Sequence, residues 1–252
     1  MKRIVIKVGS AVLSEQNRIA KERMQNLVDF IARLSEHYEV IFVSSGAVSA
    51  GYTKLKLDKS ILSNKQALAS IGQPLLMNRY RAKFDKYNIL ISQILVTSSN
   101  FRTTEQSLRA RDAIEALINN KVLPIVNEND ATATEELELG DNDQLSAYVA
   151  HHFNADLLVI LSDIDAYYDS NPREHKDAKV IKIINSISKE ELERSVTPNN
   201  SFATGGIVTK LKAADYLMKV NKKMFLASGF DLSDAYSFLI DNVHKGGTLF
   251  EN

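Results

Sequence analysis

Four short stretches of the chain gather residues that could do chemistry. Lys7-Val8-Gly9-Ser10 puts a lysine at the end of an apolar run and a glycine directly after it. Exposed N–H groups in such a turn, next to a cation, suit phosphate oxygens, although an edge lysine beside a turn glycine reads the same way. Ser44-Ser45-Gly46-Ala47 follows a second apolar run and opens a helix of small residues. Free N–H donors at such a helix start attract anions, and a plain N-cap by Ser44 or Ser45 is the alternative. Thr204-Gly205-Gly206-Ile207-Val208-Thr209-Lys210 places two glycines in a row just before a helix, with Lys210 one turn inside it. A Gly-Gly backbone folds closely around phosphates. A lysine in a first helical turn opposes the helix dipole, and such local conflicts gather at functional sites. The bland alternative is an exposed lysine on an amphipathic helix.

The fourth stretch is a pair of acidic-amide clusters, Asn127-Glu128-Asn129-Asp130 and Gly140-Asp141-Asn142-Asp143. One carboxylate at a helix start does no more than cap it. Two converging clusters can hold an ammonium group, a magnesium ion or catalytic lysine side chains. The spacing does not make an EF-hand loop. The chain also lacks a P-loop, a G-x-G-x-x-G dinucleotide fingerprint and the protein-kinase motifs, so any nucleotide chemistry must use another geometry. Its five histidines form no ligand pair and no Ser/His/Asp triad, and they read as structural or exposed.

The elements that must position these groups follow from hydrophobic periodicity. Strands are expected at Ile4–Val8, Val40–Val43, Ile89–Val96, Val122–Val126, Asp156–Leu161, Met224–Ala227 and Thr248–Phe250. Helices are expected around Met24–Leu34, over Lys65–Lys86 with a break or kink at Gly72-Gln73-Pro74, and over Thr104–Asn119, Asp141–Phe153, Gly206–Val220 and Asp231–Ile240. Thr132–Leu139 alternates polar and apolar, as a small hairpin would. Tyr167–Lys179 and Ser195–Thr204 read as loops or lids. Continuously apolar strands, each followed by a helix, make a three-layer α/β/α sandwich with a mainly parallel central sheet. In such sheets ligands sit beyond the carboxyl ends of the strands, where Lys7–Ser10, Ser44–Ala47, Asn127–Asp130 and Ser162-Asp163-Ile164-Asp165 fall.

Composition narrows the remaining classes. The chain has 252 residues, 44% of them hydrophobic and 25% charged, which are ordinary globular proportions. Basic and acidic residues balance at 31 each, so there is no global pull toward nucleic acid or an anionic membrane. Cysteine is absent, which removes thiolate metal sites, disulfides and Cys nucleophiles. No apolar run approaches the ~20 residues of a membrane helix, and the N-terminus lacks the features of a signal peptide, so a cytoplasmic location is expected. Glycine is scarce, 10 residues in all, and half of these fall in the stretches described above.

Read in order, Lys-Val-Gly-Ser, Ser-Ser-Gly-Ala, Asn-Glu-Asn-Asp-Ala, Gly-Asp-Asn-Asp-Gln-Leu-Ser-Ala and Thr-Gly-Gly-Ile-Val-Thr-Lys-Leu-Lys-Ala-Ala resemble the amino acid kinase family. Within it they are most similar to the members that phosphorylate the γ-carboxylate of glutamate, the first step of proline biosynthesis. Gly246-Gly247-Thr248-Leu249-Phe250 fits the end of that kinase domain. The resemblance implies one domain over 1–252, with a substrate lobe over about 1–150 and a nucleotide lobe over about 151–252. It does not extend to the C-terminal PUA module of many members.

By resemblance, Lys7 and Lys210 flank the transferred phosphoryl group and Asp143 orients them. Ser45, Gly46, Asp130 and Asn142 match acceptor-binding positions. Gly9, Ser162, Asp163 and the Thr204, Gly205, Gly206, Ile207, Val208, Thr209 and Lys210 loop match nucleotide-binding segments. The family often carries threonine at Ser162 and glycine near Ala166, where this chain has Asp165-Ala166. ATP with nucleotide-bound Mg²⁺ is implied, without a dedicated protein metal site. Also implied are L-glutamate as acceptor, proline as feedback inhibitor, and a dimer or tetramer. Alternatives are another kinase of the family, acting on acetylglutamate, aspartate, carbamate or UMP, and a non-catalytic nucleotide sensor on the same fold.

Overall fold

The first apolar run becomes strand β1 (Arg3–Val8), which in the computed structural model lies inside a sheet of eight strands among the described residues. The structure describes residues 1–16, 18–101, 103–132, 142–172, 174–193 and 206–252. The other strands of the sheet are β4 (Glu39–Val43), β5 (Ile91–Val96), β6 (Leu123–Glu128), β7 (Leu157–Ser162), β8 (Ile183–Ile184), β9 (Lys223–Ser228) and β10 (Thr248–Phe250). Their order is β5-β6-β4-β1-β7-β9-β10-β8. Pairing is parallel throughout the described sheet except between β9 and β10. Strands β2 (Ser14–Glu15) and β3 (Arg18–Ile19) form a separate antiparallel ribbon.

The helices are α1 (Ser10–Leu13), α2 (Lys21–Leu34), α3 (Ala47–Tyr52), α4 (Leu62–Phe84), α5 (Thr104–Asn119), α6 (Asp143–His152), α7 (Lys189–Glu193), α8 (Gly206–Lys219) and α9 (Ser233–Leu239). Alternation along β1 divides them into two layers. Ile4, Ile6 and Val8 pack with Met24 and Leu27 of α2, Leu76 and Tyr80 of α4, and Leu239 of α9. Val5 packs the other way, with Val149 of α6 and Leu211 and Ala214 of α8. Lys7 is two residues beyond Val5 and shares its face. Its ammonium is therefore carried toward α6 and α8 by the strand pleat alone.

The chain leaves β1 on one side for β4, β5 and β6, then returns to its other side at β7. This reversal makes the carboxyl end of β1 the switch point of the sheet, the place where open α/β sheets bind their ligands. At the amino end, Arg3 clamps the layers together. Its guanidinium donates to Glu39 and Glu115, at 3.0 and 2.9 Å, and to the carbonyl of Phe153 at 2.8 Å. The bond from Arg3 holds the Glu115 carboxyl below its ordinary range.

The three-layer sandwich is as expected, and several local expectations change. Helix α4 runs unbroken through Gly72-Gln73-Pro74 instead of breaking there. A Cβ at Gly72 would lie 1.7 Å from the carbonyl oxygen of Ala47, and one at Gly51 would lie 1.9 Å from that of Leu68. These glycines let the backbones of α3 and α4 touch, which hydrophobic periodicity cannot reveal. The strand expected from Ile89 begins at Ile91, and the last helix is confined to Ser233–Leu239. Strand β8 and helix α7 were not expected, being too short to carry a periodic signal. Tyr167–Lys179 is closed by an antiparallel bridge between Tyr168 and Val180. The hairpin expected at Thr132–Leu139 and the loop at Ser195–Thr204 lie outside the described residues, apart from Thr132. Among the described residues no helix is long and apolar enough to cross a membrane.

Candidate active site

Beyond the carboxyl end of β1, three charged side chains from three elements meet. Lys7 Nζ of β1 donates to Asp143 Oδ1 at 2.5 Å, and Lys210 Nζ of α8 donates to Asp143 Oδ2 at 3.0 Å. All three are buried, with relative exposures of 0% for Lys7, 0% for Asp143 and 3% for Lys210. Burying ions is costly unless they are paired, so such a set is retained where its charge is used. The formal charges of the three side chains sum to one positive charge.

Each member is placed by its own element. Asp143 is the first residue of α6, where the helix dipole favours a carboxylate. Lys210 lies one turn into α8 and also donates to the carbonyl of Gly206 at 2.9 Å, which answers the dipole conflict noted in the sequence. Thr209 Oγ1 bonds Asp143 Oδ2 at 2.9 Å and the carbonyl of Gly206 at 3.1 Å. Thr209 was expected to meet the nucleotide; in the structure its hydroxyl helps to hold the carboxylate between the lysines.

A second bonded group adjoins the first through the chain itself. Asn142, next to Asp143, donates from Nδ2 to the carbonyl of Ser44 at 2.9 Å and to Asn127 Oδ1 at 2.9 Å. Ser45 Oγ lies 3.5 Å from the same nitrogen. The two acidic-amide clusters therefore converge, and Asn127 is the residue of the first cluster that bonds Asn142. Asp130 is half-buried and lines a small pocket with Gln73, Glu128 and Asn129.

The helix start after β4 is capped differently from the serine alternative. Gly46 is the N-cap of α3 in the left-handed region, at φ 97°, with no side-chain cap bond. Only glycine adopts that conformation freely. Ser44 Oγ pairs instead with the hydroxyl of the fully buried Tyr80, at 2.9 Å, and burial pushes that phenol's pKa well above its usual range.

Gly9 lies in extended backbone, and its N–H bonds the carbonyl of Leu161 at 2.9 Å, tying the loop after β1 to β7. Ser162 ends β7 and is buried. Its Oγ accepts from the N–H of Ile164 and donates to Asp163, while the Asp163 side of this turn faces solvent. Gly206, half-buried Ile207 and buried Val208 form the first turn of α8. Thr204 and Gly205 lie outside the described residues, as do Gly140 and Asp141. Among the described residues, no group of three His, Asp or Glu side chains is gathered as a metal site.

The sequence profile of the amino acid kinase family matches residues 2–228. The chain belongs to the amino acid kinase family. Among curated family proteins, it is 56% identical to a glutamate 5-kinase of Wolinella succinogenes, over 99% of this chain and 98% of that protein. It is 54% identical to a glutamate 5-kinase of Leishmania donovani, over 99% of this chain and 95% of the other. The family fold recurs in the crystal structure of UMP kinase from Ureaplasma parvum, with a TM-score of 0.66 at 14% identity, covering 100% of this chain and 99% of that one. It recurs in isopentenyl phosphate kinase as well, with a TM-score of 0.65 at 14% identity, covering 98% of this chain and 99% of the other. At that identity the likeness is one of fold alone.

Sequence reasoning missed the hydrogen bonds that Gln73, Tyr80 and the carbonyl of Ser44 make to Asn127, Ser44 and Asn142. Gln73 carried one signal, an amide on the otherwise apolar buried side of a helix.

Proposed function

We propose that this protein transfers the γ-phosphoryl group of ATP to the γ-carboxylate of L-glutamate, giving ADP and L-glutamyl 5-phosphate, the first step of proline biosynthesis. The observation that carries the chemistry is the convergence of Lys7 and Lys210 on the two oxygens of Asp143. The choice of acceptor is supported by the glutamate 5-kinases that match nearly the whole chain.

A γ-carboxylate is ionised at neutral pH, its reference pKa being about 4.3, so it attacks without a general base. Its difficulty is repulsion. Two like charges ~4 Å apart cost about 4 kcal/mol at an effective dielectric near 20. In this reading Lys7 and Lys210 meet the oxygens of the transferred group, and Asp143 holds both ammoniums in one geometry throughout. A carboxylate oxygen forms the new bond to phosphorus, the bond to the β,γ-bridging oxygen breaks, and ADP leaves with that electron pair. Catalysis is then positioning and charge stabilisation, as phosphoryl transfer generally requires. Magnesium arriving with the nucleotide would supply further positive charge beside Lys7 and Lys210.

Asn142, Ser45, Gly46 and Asp130 serve the acceptor in this reading. Ser162, Asp163, Gly9 and the Thr204–Lys210 loop serve the nucleotide. The lobes of about 1–150 and 151–252 divide the two substrates. Cytoplasmic location, assembly into a dimer or tetramer, and inhibition by proline belong to the same proposal.

The test is an acceptor panel of glutamate, acetylglutamate, aspartate, carbamate and UMP with MgATP, with hydroxylamine trapping acyl phosphates. Hydroxamate formed chiefly with glutamate is expected, and added proline should suppress it. Preferred turnover of another acceptor would overturn the assignment. Binding of ATP with no turnover of any acceptor would leave the sensor alternative standing.

A further inference from the structure

A line of side-chain amides runs from Asn142 away from the lysine–aspartate group and into the substrate lobe. Asn142 Nδ2 donates to Asn127 Oδ1 at 2.9 Å, and Asn127 Nδ2 donates to Gln73 Oε1 at 2.8 Å. Gln73 Nε2 in turn donates to Gln93 Oε1 on edge strand β5, at 3.2 Å. Asn127, Asn142 and Gln73 are all buried, with Gln73 only 8% exposed in the middle of α4.

Two backbone groups determine which way each amide faces. The carbonyl of Ser44 can only accept, so the Asn142 atom beside it must be Nδ2. The N–H of Glu128 can only donate and lies 2.9 Å from Asn127, so that atom must be Oδ1. Asn127 Nδ2 is then directed at α4, where it requires an acceptor. Gln73 Oε1 is that acceptor. If it is removed, a buried N–H₂ loses its partner, and the Asn127 side chain can relieve this only by shifting or rotating away from its bonds to Glu128 and Asn142. Rotation would turn Nδ2 toward Asn142 Nδ2, setting donor against donor. With the line intact, Asn142 is locked with its nitrogen on Ser44 and its Oδ1 directed to the opposite side, as a hydrogen-bond acceptor.

We propose that Gln73 is a positioning residue for acceptor binding: through Asn127 it holds the Asn142 amide in place, in the orientation that the Ser44 carbonyl imposes. The proposal rests on the reading of Asn142 as an acceptor-binding group beside the phosphoryl-transfer lysines. Its signature is a change in acceptor KM with little change in nucleotide KM, because α4 approaches the site from the substrate lobe alone.

The experiment compares the full chain with Gln73→Met, Asn142→Ala and the double variant, measuring KM for glutamate, KM for ATP and kcat. Gln73→Met keeps the side-chain volume and removes the acceptor. It should raise glutamate KM roughly tenfold while ATP KM stays within about twofold, the scale expected for one unsatisfied buried donor. In the Asn142→Ala background the same substitution should change glutamate KM by less than about twofold, because coupled residues are non-additive. Should Gln73→Met not fold, Gln73→Asn, which draws the acceptor back by one methylene, serves the same comparison. Full additivity, or equal rises in both KM values, would overturn the positioning role. A wild-type chain that does not phosphorylate glutamate would instead overturn the reaction on which the proposal rests.

Discussion

Replacing Asp143 by asparagine tests the charge arrangement most directly. The change is nearly isosteric, and the amide keeps an oxygen for Thr209 or one lysine. It removes the negative charge to which Lys7 and Lys210 are bonded, at 2.5 and 3.0 Å. Two ammonium groups roughly 5 Å apart repel by about 3 kcal/mol at an effective dielectric near 20. Breaking a buried ion pair costs about 3–5 kcal/mol of stability, which for a chain of this size lowers Tm by about 10 °C. The kinetic effect should have a particular shape. With the lysines no longer held in line, kcat should fall about 100-fold, the scale of losing one preorganised electrostatic group. The KM for ATP should stay level or fall, because a negative charge has been removed beside the phosphates. MgATP should also recover part of the lost Tm, since its phosphates replace the missing countercharge. The assays are hydroxamate formation under saturating substrates and thermal melting with and without nucleotide. A kcat within threefold of wild type would refute the reasoning. So would a tenfold rise in ATP KM, which would make Asp143 a nucleotide-holding group.

Other outcomes follow from single residues. Asp130→Ala should raise glutamate KM with kcat within a few-fold; an unchanged KM would remove Asp130 from the acceptor site. Gly72→Ala should destabilise the chain by about 3 kcal/mol or more, because its Cβ would lie 1.7 Å from a backbone oxygen that cannot move independently. A urea unfolding midpoint equal to wild type would contradict that contact. The Glu115 carboxyl is held below its ordinary range by the bond from Arg3, so its contribution is complete above that range and is lost as pH falls through the depressed value. Glu115→Gln should therefore flatten the fall of Tm between about pH 5 and pH 3; parallel curves for variant and wild type would exclude the pair as a source of acid sensitivity.

The layers and most of the parallel sheet were legible in the sequence because they depend on periodicities within single segments. Apolar runs mark strands, and Met24, Leu27, Val28, Ile31 and Leu34 mark a helix face. Lys7, Lys210 and the two acidic-amide clusters were legible as residue types at strand and helix ends. Gly72-Gln73-Pro74 was read as a break or kink, and the break did not occur: glycine and proline carry the same local signal whether they end a helix or admit a neighbour. Here Gly72 admits the backbone of α3, and the helix continues.

The sequence by itself determined that one lysine would stand near the end of β1 and another at the start of α8, and that an acidic-amide cluster would lie at the start of α6. Segment-level physics requires no more than hydrophobic period and turn chemistry for that much. The tertiary structure decided that the lysines take opposite oxygens of one carboxylate, and that Asn142 bonds Asn127 across 15 residues of chain. It also decided that Gln73, 54 residues from Asn127, supplies the next acceptor. Those contacts depend on strand order and on the pleat that turns Lys7 toward α6 and α8. The pleat is local to β1, but the strand order and the face on which α6 and α8 lie are encoded in no one segment, because they arise when the sheet assembles around β1.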